Sequence, residues 1–76
     1  NAEDSLLDAE RSRALDSAVN QLPERQKAAI VLTYTAGLRN AEAASAMDIS
    51  VKAFEALLVR AKRELRDFLA GQGWMA

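Results

Sequence analysis

The stretch LRNAEAASAMDISVKAFEALLVRAKR, residues 38–63, decides how the rest of this 76-residue chain is read. At its centre Met47-Asp48-Ile49-Ser50 separates two helical patterns. Upstream, Ala43, Ala44 and Met47 recur at i, i+1 and i+4, so a short helix puts small or apolar groups on one face. Downstream, Val51, Phe54, Leu58, Ala61 and Leu65 recur at spacings of three and four, the repeat of a helix buried along one stripe. Ser50 stands just ahead of that stripe. Its hydroxyl can accept a bond from a free N–H of the first turn, which predicts a helix start there. Ile49 is the only large apolar residue of the turn and is expected to plug the corner, while Ala44 is small enough to let two helices cross closely and steeply, as a helix-turn-helix requires. Spacing alone also suits a small helical protein with a tight corner, so both readings stand at this point.

Working outward, the chain is long enough for one small domain, in which folding buries only about 60% of the unfolded surface. Half of the residues are hydrophobic, many of them alanine, and the aromatics are Tyr34, Phe54, Phe68 and Trp74, a composition for thin, closely packed helices. No cysteine or histidine is present, which excludes disulfides, thiol catalysis and the usual zinc sites, implies no cofactor, and fits a cytosolic setting. No apolar run approaches the roughly 18 residues of a membrane span, so no membrane partner is expected. The chain opens on Asn1, not methionine, and is expected to be the C-terminal part of something longer. Its net charge of −1 hides a division: the first 24 residues carry six acids against two arginines, a net of −4, and the remainder carries eight basic residues against five acids, a net of +3. An acidic lead followed by a basic half suits a DNA-reading domain behind a linker.

Four helices are predicted, an all-α domain with a C-terminal helix-turn-helix. The first is expected to begin near Ser5 or Asp8 and to bury Leu15, Ala18, Val19 and Leu22, with Leu6 or Leu7 extending the stripe. Pro23 ends it and opens the second, which should run to about Ala36 on a stripe of Gln26, Ala29, Ile30, Thr33 and Tyr34, widened by Val31 and Leu32. Gly37 stops that helix in the left-handed conformation, and Leu38 folds back as the contact after the cap. The third begins at Arg39 or Asn40. The fourth runs from Val51 to about Leu69, with Gly71 and Gly73 breaking it and Trp74 expected to pack back onto the bundle. Residues 1–13 are read as a lead-in, 14–70 as the helix-turn-helix domain and 71–76 as a tail.

Catalysis needs a nucleophile beside a base, paired carboxylates or a metal cluster, and this chain offers none of these in convergent positions; nor does it contain a glycine-rich phosphate loop. Binding has more behind it. In a helix-turn-helix the second helix enters the major groove, and residues near its N-terminal end meet base edges. With the core stripe on 51, 54, 58, 61 and 65, the outward face presents Lys52, Ala53, Glu55, Ala56, Val59 and Arg60. Arg60 can reach a guanine bidentately, Glu55 can accept from a cytosine amino group, and Ala56 or Val59 can touch a thymine methyl. Arg39, Lys62 and Arg63 are suited to phosphates. The plain alternatives are a pairing of Arg60 with Glu64 one turn on, and of Glu55 with Lys52.

Read together, Leu22-Pro23-Glu24-Arg25-Gln26, Gly37-Leu38, Glu42-Ala43-Ala44, Ile49-Ser50-Val51 and Leu58-Val59-Arg60-Ala61-Lys62-Arg63-Glu64-Leu65 resemble region 4 of bacterial sigma factors, with most similarity to the extracytoplasmic-function group. The resemblance covers about 14–69. It implies recognition of the upstream (minus-35) element of double-stranded promoter DNA, docking on the flap of core RNA polymerase, and masking by an anti-sigma factor, with the domain acting as a monomer. The chain departs from the family pattern at Arg39, where a serine commonly caps the third helix, at Asp48, where glycine is usual, and at Glu55, Ala56 and Leu57, where basic or hydroxyl residues are common. Leu57, apolar and half exposed by this reading, is a natural protein contact. Two other functions fit the same pattern: a dimeric response-regulator output domain on paired half-sites, and a sigma-like module that only captures an anti-sigma factor.

Overall fold

The computed structural model describes residues 2–71, with side chains from residue 9 onward. Four α-helices follow one another with short connections: α1 Ala2–Asn20, α2 Glu24–Ile30, α3 Asn40–Ala46 and α4 Val51–Gly71, α2 passing directly into a π-helical turn over Val31–Thr35. The fourth helix is the spine, packed against α1, α2 and α3. The all-α architecture and its C-terminal helix-turn-helix are as the sequence predicts.

The core is built from small groups around one large one. Ala18, Ala29, Ala43, Ala44 and Ala61 are buried almost completely, and Phe54 is the one large side chain among the described residues that is fully enclosed. Leu22, Ile30 and Leu58 close around it. Alanine at the contacts lets helix axes approach closely, which is how so short a chain excludes water from a phenylalanine.

Several expectations need correction. The first helix starts at Ala2, ahead of Ser5, and its stripe is only partly buried: Ala18 and Leu22 are enclosed, Val19 is half-buried, and Leu15 remains 46% exposed. Leu6, Leu7 and Trp74 lie outside the described side chains. The helix ends at Asn20, and the following turn drops Leu22 into the core. The fourth helix continues through Gly71, and Val51, assigned to its core stripe, is 42% exposed as the first residue of that helix, at the corner.

The second helix begins after Pro23, whose extended backbone delivers Glu24 to the first turn. Its last turn then widens: the Ala36 N–H donates to the Val31 carbonyl, five residues back, and the Leu38 N–H to the Leu32 carbonyl at 2.9 Å. Gly37 makes the reversal at φ +72°, and Leu38 packs on the core. A Cβ at Gly37 would meet nothing within 4 Å, so Gly37→Ala should cost only backbone strain, about 1–2 kcal/mol in thermal melts. A larger loss would point to a contact there.

Candidate nucleic-acid interface

The candidate surface begins at the corner between α3 and α4. Arg39 precedes the first residue of α3 with an extended backbone, and its N–H donates to the Glu42 carboxylate at 3.0 Å. An arginine side chain has no acceptor to return that bond, so Glu42 alone ties the chain entry to the helix. At the far end Ile49 N–H donates to the Ala44 carbonyl at 3.0 Å and Asp48 takes φ +56°, the left-handed geometry that a short polar side chain tolerates. Ile49 packs on the core under the turn, as expected of a plug.

Ser50 then opens α4. Its Oγ accepts from the Ala53 N–H at 3.0 Å, the bond that its position ahead of the stripe predicts. Ser50→Ala should lower stability by about 1 kcal/mol and fray the turn carrying Lys52 and Ala53. Amide exchange of the first turn of α4 measures it; unchanged protection would show that Ser50 Oγ does not hold this end.

Because Phe54, Leu58 and Ala61 point into the core, the opposite side of α4 is committed to solvent. Lys52, Ala53, Glu55, Ala56, Val59, Arg60 and Arg63 are all exposed. At 3.6 residues per turn, Lys52, Ala56 and Arg63 lie most directly opposite the core, with Val59 on one side and Arg60 on the other. Arg39 is exposed at the start of α3.

Two placements differ from the sequence grouping. Lys62, grouped with the phosphate-directed residues, lies on the other shoulder of α4, its Nζ 5.6 Å from the centroid of the Tyr34 ring. Arg25, not singled out from sequence, joins the reading side: the first turn of α2 brings it to a hollow of about 300 Å3 shared with Ile49, Ala53, Ala56, Leu57 and Arg60. Nothing local marks Arg25, since only the crossing of α2 over α4 makes the two arginines neighbours. Leu57 is half-buried and packs on the core as well as facing this hollow.

The shoulder that holds Lys62 borders a larger groove, about 710 Å3, between α1, α2 with its π-helical turn, and α4. Leu15, Val19, Ile30, Val31, Tyr34 and Leu69 give it an apolar lining, and Lys27, Lys62 and Arg66 against Asp16 give it a mainly basic rim. Here are the apolar side chains that the stripes of α1 and α2 assign to the core: Leu15, Val31 at 39% exposure and Tyr34 at 62%. The stripes are real, but their outer edges face this open groove.

Among the described residues no group of His, Cys, Asp and Glu is placed to hold a metal ion, and no helix is long and apolar enough to cross a membrane. A protein-family model described as Sigma-70, region 4 matches residues 12–65. No curated protein and no solved structure matches the chain.

Proposed function

The chain belongs to the sigma-70, region 4 family, and from that membership we propose that it reads the minus-35 element for an alternative sigma factor of the extracytoplasmic-function group. Region 4 is a DNA-binding part of a transcription-initiation factor that works with RNA polymerase, not an enzyme. The observation that carries the residue-level reading is the exposed face of α4, which starts at a capped N-terminus and lies opposite the buried Phe54, Leu58 and Ala61. A helix so presented fits the major groove with its early residues at base edges.

In this reading Lys52, Glu55 and Arg60 address base edges with hydrogen-bonding groups, and Ala53, Ala56 and Val59 make apolar contact. Arg39 and Arg63 contact phosphates, joined by Arg25. Lys62, beside Tyr34, serves the groove. The groove's exposed apolar lining and basic rim support a protein seat, which we assign to the flap of core polymerase, with an anti-sigma factor as the competitor that masks it. The domain works as a monomer, an assignment that sedimentation of the isolated chain tests directly.

The decisive experiment is selection from randomised duplex DNA across a range of salt concentrations. Expected is an enriched short motif whose affinity falls with salt at a log–log slope of about −3, the release expected for three phosphate-bound arginines. Retention without any enriched motif would favour a sigma-like module that binds protein and not promoter.

A further inference from the structure

Two of the exposed positions on the outward face of α4, Ala56 and Val59, are apolar. Val59 leaves 57% of its surface in water, although it stands on a helix whose other outward positions are largely charged. Ala56, exposed one turn before Arg60, stands with Lys52 and Arg63 most directly opposite the core. Beside it, Ala53, Ile49 and Leu57 complete the apolar floor of the 300 Å3 hollow that Arg25 and Arg60 border. The face therefore has hydrogen-bonding reach at Lys52, Glu55, Arg60 and Arg63, and among them two groups, Ala56 and Val59, that neither donate nor accept.

The major groove offers acceptors at purine N7, guanine O6 and thymine O4, and amino donors on adenine and cytosine. Its one apolar feature in unmodified DNA is the C5-methyl group of thymine. A donor or acceptor pressed against Val59 or Ala56 would lose water and gain no partner. A methyl group there loses nothing and removes apolar surface of both molecules from water. Beside Ala56 the hollow has room for such a group, and at Val59 the exposed side chain itself meets it.

Building on the promoter-reading assignment, we propose that Val59 and Ala56 read thymine C5-methyl groups, so that the recognised element carries thymine opposite these two residues, the one facing Ala56 next to the base addressed by Arg60. Glu55 sits on the Val59 side and Arg60 on the other, which sets the order in which a polar contact, the methyl contacts and the arginine contact run across the site.

The test uses the duplex enriched from the random pool, with each thymine replaced singly by deoxyuridine, a change that deletes the methyl and nothing else. Affinity should fall about fourfold at one or two positions, the fold-change corresponding to about 0.8 kcal/mol per buried methyl-sized group. Val59→Ala should lower affinity for the thymine duplex by a similar factor and bring the thymine-to-uracil ratio at one position to unity. Its melting temperature should match that of the parent chain, since Val59 lies outside the core. Sequence-specific binding with equal affinity for thymine and uracil at every position would overturn the methyl readout and leave promoter reading intact. A pool that yields no enriched sequence would overturn both.

Discussion

Phe54→Ala is expected to remove a large share of the stability of this chain. Phe54 is the one large side chain that is fully enclosed among the described residues, and four of its companions in the core cluster are alanines that cannot reach into the space it would vacate. Truncating a buried phenylalanine costs about 3–5 kcal/mol through lost transfer energy and the cavity left behind. A domain of this size has on the order of 4–11 kcal/mol in total. Urea denaturation followed by circular dichroism measures the loss, with Val51→Ala as the internal comparison; Val51 is 42% exposed at the head of the same helix and should cost less than about 1 kcal/mol. Equal losses from the two would mean that the helices do not close around Phe54.

Arg60→Ala should act on recognition and not on folding. Arg60 is exposed on the reading side of α4 and shares a hollow with Arg25 and Ala56, so its guanidinium is free to pair bidentately with a guanine edge. Its loss should cost about 1–3 kcal/mol of binding and relax preference at one position of the selected motif. Arg63→Ala should instead weaken all sequences alike and make the salt slope shallower by about one. Lys62→Ala should leave that slope unchanged, because its ammonium sits over Tyr34 on the opposite shoulder. If Arg60→Ala and Arg63→Ala produce the same uniform loss on every DNA, Arg60 is a phosphate contact and reads no base.

Local rules carried most of the fold. The Ser50 cap, the left-handed Gly37, the return of Leu38 and the plug at Ile49 each depend on a few neighbouring residues, so all four are legible before any tertiary contact is known. Periodicity carried less. It tells which residues share a face and not how far a neighbouring helix covers that face, so Leu15, Tyr34 and Val51 count as core in sequence and stand partly in water. The π-helical turn left no mark at all, because neither proline nor glycine interrupts Val31–Thr35 and the bond from Ala36 to Val31 follows from packing. The outward face of α4 was legible as a set of exposed positions. Its division into sides was not, since the pairing of Arg25 with Arg60, and of Lys62 with Tyr34, is made by helices distant in sequence.

Helix α4 is one uninterrupted rod of 21 residues with the reading face on one flank and the apolar groove on another. A ligand seated on either flank therefore fixes the position of the other to within the stiffness of a helix. If the groove is held by a partner and α4 reads DNA as proposed, the search for DNA becomes an intramolecular event at high effective concentration, and contacts too weak to retain a free duplex suffice. The same coupling would make departure simple: once either flank lets go, the other contact is left to its own affinity.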